Sequence, residues 1–150
     1  MSPRLELKKV APEGHKAFGP IYQYIASSSL DRALVDLVFL RVSQINGCAY
    51  CVDLHWRDML KAGTDARKIN SLVTWREAPF FSARERAALV WTESLTRIAD
   101  TGAPDNDYAA VKIEFTEKEI ADLTIVIALM NAMNRIGVGT RMQVPAAAAA

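Results

Sequence analysis

Two short stretches, Ser82-Ala83-Arg84-Glu85 and Thr116-Glu117-Lys118-Glu119, each open an apolar-rich run. A Ser or Thr followed three residues later by Glu marks a reciprocally capped helix start: the hydroxyl takes an N–H of the first turn and the carboxylate reaches back to the capping residue. After the first box, Ala88, Trp91, Leu95 and Ile98 recur at helical spacing as one apolar stripe. No segment alternates polar and apolar residues convincingly, so the chain is expected to be all-α.

The other turn signals fit the same pattern. A first helix is expected from Pro12 to about Ala26, with Ser27 to Ser29 as candidate caps for a second from Leu30. Leu34, Leu37, Val38, Leu40, Val42 and Ile45 make that second helix apolar on several faces, which predicts burial. Asn46-Gly47 stops or kinks it, since both residues tolerate left-handed backbone angles. A third helix is expected from near Cys48 to Gly63, and Thr64 can cap a fourth through about Trp75. Gly102 and Pro104 break the chain before a short helix around Tyr108 to Ile113. The last helix, from Thr116 to about Arg135, is apolar nearly all round and so belongs in the core or under another subunit.

With 150 residues and 51% hydrophobic content, one domain spanning residues 1–150 is expected, with its core at about 30–140 and a short Ala-rich tail. The 18 basic and 17 acidic residues are spread along the chain, which argues against a nucleic-acid partner. The start lacks a signal-like apolar segment, and the longest apolar run falls short of the roughly 20 residues that span a bilayer. A soluble cytoplasmic protein with no membrane partner is the expectation.

Both cysteines and one of the two histidines fall in Asn46-Gly-Cys-Ala-Tyr-Cys-Val-Asp-Leu-His55. At about 100° per residue, Cys48, Cys51 and His55 project from one sector of a helix about 60° wide. The first turn, with its unpaired N–H groups and the positive end of the dipole, favours thiolate over thiol. A thiolate is the form that attacks a peroxide oxygen or a disulfide sulfur, and His55 could accept the proton or hold a water that does. Two other readings stand beside a dithiol redox site. The cysteines could be small buried hydrophobes. They could also bind zinc with His55, which would require a carboxylate such as Asp36 or Asp53 as fourth ligand. The βαβ context of a thioredoxin fold is missing.

The run LVDLVFLRVSQINGCAYCVDLH, followed by KAG, WREAPFFSARERAALVWTESLTRIA and EFTEKEIADLTIVIALMNAMNRIGVG, resembles the AhpD-like alkylhydroperoxidases of the carboxymuconolactone decarboxylase superfamily. The resemblance covers about residues 30–140. It implies an AhpD-like helical bundle with the CxxC motif at a helix N-terminus, assembled as a homotrimer or homohexamer. It also implies cofactor-free, peroxiredoxin-type reduction of organic hydroperoxides, with a dithiol donor of unknown identity. By motif position Cys51 would attack the peroxide, Cys48 would resolve the product into a disulfide, and His55 would relay protons. The family's relay glutamate is replaced here by Asp36. Read from the residues alone, Asp36 sits in an apolar helix and equally suits an ion pair with Arg32, four positions earlier. The rival to catalysis is a helical oligomer whose Cys/His cluster binds zinc or senses oxidation without turnover. Asn131 and Asn134, inside the apolar last helix, require partners if buried.

Overall fold

The computed structural model describes residues 2–146, and among these every regular element is helical. The helices are α1 (Leu7–Val10), α2 (Pro12–Lys16), α3 (Gly19–Ala26), α4 (Arg32–Ile45), α5 (Ala49–Lys61) and α6 (Ala66–Asn70). A 3₁₀ turn at Ser71–Thr74 leads to α7 (Ala83–Thr96), α8 (Ile98–Thr101), α9 (Asp105–Glu114) and α10 (Glu117–Thr140). The all-α expectation holds among these residues, and the CxxC motif stands at the N-terminus of α5.

Both capping boxes form. Ser82 and Thr116 accept from the N–H groups of Glu85 and Glu119, whose carboxylates return to the capping backbone N–H groups. Elsewhere the boundaries move for identifiable reasons. The expected helix over 12–26 is two helices, because Gly19 and Pro20 interrupt it and restart the chain as α3. Asp31 rather than a serine caps α4, accepting from Ala33 N, and Asp65 rather than Thr64 caps α6. The fourth helix gives way to the 3₁₀ turn after Asn70. The stripe on α7 ends before Ile98, which opens α8 and is 55% exposed. The last helix runs five residues past Arg135, to Thr140. Of the Ala-rich tail, residues 147–150 lie outside the described residues.

The core lies where α10 crosses α4 and α7, with α5 laid against α4 and α9 against α7. Leu37, Val38, Leu40 and Val42 from α4 meet Leu89 from α7 and Leu123, Val126, Ile127 and Met130 from α10 in one buried cluster. Trp75 and Trp91 belong to this core, whereas Trp56 is 43% exposed. Glu93 is buried inside it on four donors from three residues: Arg41 Nε and Trp75 Nε1, each at 2.9 Å, Arg76 Nη1 at 2.6 Å, and Arg41 Nη2. These donors outweigh burial and hold its carboxyl below the usual range. At 24 residues, with a mean hydropathy of 1.3 over an 18-residue window, α10 is long and apolar enough to cross a membrane. Its buried Asp122 and Asn134, and its packing on five other helices, mark it as the bundle's central helix.

Candidate functional site

The end of one helix places the cysteine pair. Asn46 closes α4, and Gly47 takes a left-handed φ of +66°, which costs glycine nothing. Gly47 N then donates to Gln44 O at 3.3 Å and Cys48 N to Ser43 O at 3.1 Å, the paired bonds of a Schellman stop. The residue completing that stop is Cys48, which is also the N-cap of α5. Its backbone is extended and its Sγ accepts from Cys51 N at 3.4 Å. Cys51 thus stands in the first turn of α5, among the N–H groups without intrahelical acceptors.

Cys48 and Cys51 are joined by a disulfide, with Cα atoms 5.3 Å apart. The pair is enclosed, Cys48 being 1% and Cys51 6% exposed. The roof is Gly137 of α10, where a Cβ would lie 2.8 Å from Cys48 Sγ and 3.5 Å from Cys51 Sγ. Polar bonds fix α10 in this position. Asn46 Nδ2 donates to Asn131 Oδ1 and to Asn134 Oδ1, each at 3.0 Å, and Asn134 Nδ2 donates to Ser43 Oγ at 3.0 Å. These are the partners that the two asparagines of the last helix required, and they pin the cysteine turn to α10. Neither Gly137 nor this network was read from the sequence. The only prior signal was two asparagines in an apolar helix.

His55 follows Cys51 by one turn of α5 and is 7% exposed, with the ring of Phe39 from α4 at 5.1 Å. Burial lowers its pKa to about 4, against the raising influence of Asp36 and Asp58, so the imidazole is neutral near pH 7. Its Nδ1 has no hydrogen-bond partner within the protein. The ring lines a chamber of about 280 Å³, walled by Tyr22, Leu30, Val35, Phe39 and Leu54 and edged by Arg32 and Asp58.

Asp36 is 3% exposed, and both its oxygens accept from Arg32 Nε, at 3.0 and 2.9 Å. The ion pair anticipated from the i, i+4 spacing is therefore present. Asp36 acts on His55 through its charge, and the imidazole Nδ1 does not bond to it. Among the described residues no group of three or more His, Cys, Asp and Glu is placed to hold a metal ion. What the cluster can do is redox chemistry: a vicinal dithiol–disulfide pair at a helix N-terminus, with a neutral histidine one turn beyond.

The model of the carboxymuconolactone decarboxylase family matches residues 12–94, more than half of the chain. The uncharacterized protein YdfG of Bacillus subtilis is 38% identical over 92% of this chain and 94% of its own length. A solved structure of a protein of unknown function from Agrobacterium tumefaciens, provisionally described as the antioxidant defence protein AhpD, is 39% identical. It superposes with a TM-score of 0.95 over 97% of this chain and all of that one. The debrominase Bmp8, in complex with 2,3,4-tribromopyrrole, shares the fold at 18% identity, with a TM-score of 0.81 over 91% of this chain and 73% of its own. From the family match, and from the identity to relatives that it spans almost end to end, this chain belongs to the carboxymuconolactone decarboxylase family and has the AhpD-like fold.

Proposed function

We propose that the protein is a thiol-dependent peroxidase that reduces organic hydroperoxides through a Cys48/Cys51 dithiol–disulfide cycle. The observation that carries this reading is the cysteine pair in the first turn of α5 with neutral His55 one turn beyond. In the proposed cycle Cys51 thiolate attacks the outer peroxide oxygen and the O–O bond breaks. The alcohol leaves with a proton passed through His55, and Cys51 becomes a sulfenic acid. Cys48 then attacks that sulfur, water leaves and the disulfide forms. A dithiol donor returns two electrons and two protons. The apolar chamber beside His55 suits the organic part of the peroxide. The same-fold debrominase is a reason to test brominated substrates as well. The working form is a homotrimer or homohexamer acting without a cofactor.

The test is peroxide consumption with a panel of dithiol donors, followed by mass spectrometry of non-reducing digests. Turnover in the parent, none in Cys51→Ser, and a trapped sulfenic acid on Cys51 in Cys48→Ser support the assignment. Sulfenic acid found only on Cys48 in Cys51→Ser would reverse the roles. A reduced parent that peroxide leaves as free thiols would sink the peroxidase reading.

A further inference from the structure

The disulfide is walled on the side of Cys48 by a crevice of different character from the His55 chamber. It measures about 640 Å³ and is lined by Cys48, Ala49 and Tyr50 from the start of α5 and by Gly137 and Val138 from α10. The segment after α10 and Arg4 complete it. The two cavities share no lining residue. The crevice has two arginines in its wall, Arg4 and Arg141, and no acidic side chain. Ala49 and Tyr50 are the first two residues of α5, where backbone N–H groups lack intrahelical acceptors and the dipole is positive. Both charged side chains at this opening are cationic, and with the start of α5 they favour an anion against the negative dipole end of α10.

Arg141 is unusual in its backbone. The end of α10 is a second Schellman stop, with Met142 N on Gly137 O at 2.9 Å and Arg141 N on Val138 O at 3.2 Å. The left-handed residue of such a stop is most often glycine, yet here it is Arg141, at φ +57°. A non-glycine residue in that conformation sacrifices backbone stability, which is the kind of cost found at functional positions. Arg4 reaches the same helix end from the other terminus, its Nη1 donating to Gly139 O at 3.1 Å.

We infer that this crevice is the reductant's port, and that it selects thiol donors carrying a carboxylate. The inference rests on the dithiol–disulfide cycle proposed above and names the class of its donor. The donor thiolate attacks Cys48 Sγ, the Cys48–Cys51 bond breaks and Cys51 leaves as thiolate. A second donor thiolate attacks the donor sulfur of the mixed disulfide and frees Cys48. The protein gains two electrons and, at neutral pH, protons from solvent, while the two donor thiols become one disulfide. Arg4 and Arg141 hold the carboxylate and favour the ionised thiol, and the peroxide approaches separately through the chamber at His55.

The test uses the full chain in its oxidised form, without peroxide. Reduction of the disulfide is followed by timed alkylation and intact mass, with 3-mercaptopropionate or its uncharged amide as donor. The ratio of the two rates is compared between the parent, Arg141→Gln, Arg141→Lys and Arg141→Gly, so that intrinsic thiol reactivity cancels. The parent's ratio is expected to exceed that of the Gln and Gly variants on the order of fivefold, the worth of one partly exposed ion pair. The Lys variant should retain most of the preference. The parent's ratio should also fall between about 20 and 500 mM salt. The Gly variant relieves the left-handed backbone, so it should melt no lower than the parent while losing the preference. Equal ratios in the parent, Gln and Gly proteins, or a parent ratio indifferent to salt, would overturn the inference. Peroxide turnover, assayed separately, fails with the peroxidase reading and leaves this ratio measurable.

Discussion

His55 is a titrating group whose state depends on what stands beside it. Its folded pKa of about 4 lies below the unfolded value of about 6.5, so the unfolded chain binds a proton first as pH falls. Its contribution to stability is therefore complete above about pH 6.5 and is lost as pH drops toward 4, reaching on the order of 3 kcal/mol. Chemical denaturation at pH 7 and pH 5 checks this. The parent should lose more stability across that interval than His55→Gln, and equal losses would remove His55 as the cause. Reduction should move the same pKa upward, since a Cys51 thiolate one turn away favours the imidazolium. Proton NMR titration of the oxidised and reduced protein would show the shift, and an unchanged value would argue against coupling. Asp36 allows a sharper separation of roles. If it assists the relay, Asp36→Asn lowers the peroxide rate per folded molecule by about tenfold or more, and Asp36→Glu leaves it unchanged or higher. If it serves only its bond to Arg32, the Asn variant melts earlier and reacts as fast as the parent. The cysteines, His55 and the Arg32–Asp36 pair were legible in the sequence because helical spacing relates residues three or four apart. Gly137 was not, because nothing local ties it to a sulfur contributed by another helix.

Three helix ends converge on the disulfide: the C-terminus of α4, the N-terminus of α5 and the last turns of α10. The sequence reading ends α10 at about Arg135, and beyond that point Gly137 and Gly139 lower helix propensity by up to about 1 kcal/mol each relative to alanine. Packing outweighs that local preference at Gly137, where a side chain would occupy the space of the Cys48 sulfur. Gly137→Ala therefore sets a propensity gain of about 1 kcal/mol against an overpacking cost of about 1–3 kcal/mol. The oxidised variant should melt below the parent and form its disulfide more slowly, read from calorimetry and timed alkylation. An alanine variant that melts higher and oxidises at the parent's rate would mean that the roof yields freely. The asparagine network makes a related demand. Asn134→Ala leaves Asn46 and Ser43 without a shared partner at a buried site, a loss of about 1–3 kcal/mol. The melting temperature should fall by roughly 2–12 °C. The capping boxes were legible because each is complete within four residues. The break at Gly19-Pro20 is equally local, whereas the network joins residues 85 and more positions apart.

At the scale of the whole molecule, the central helix keeps an apolar side outside the core of one copy. Only 39% of the most apolar window of α10 is buried, although this is the bundle's central helix. Along its outward side, Ala128 and Ala132 line a shallow groove with Leu95 and Ile98 from the neighbouring turns, and the buried Ile127 lies at its floor. Asn131 and Arg135 also stand in that groove, where Arg135 Nη1 donates to Asn131 O at 2.9 Å and to its Oδ1 at 3.0 Å. Lipid would leave such groups poorly satisfied, whereas a protein surface can pair them, so a second copy is the better cover. Repetition of one contact around a closed ring hides the groove on every copy, which suits a trimer or a hexamer. Light scattering is expected to give three or six times the chain mass of 16.6 kDa. Ala128 is exposed within this groove, so Ala128→Glu should place an uncompensated charge in the contact without disturbing the core. The variant should keep its helical circular dichroism and scatter as a smaller species, and its melting temperature should become less dependent on concentration. A parent that scatters as a monomer at working concentration would overturn the assembly. An Ala128→Glu protein that keeps the parent's mass would move the interface to another face, with Ile113, 80% exposed on α9, as the next position to charge.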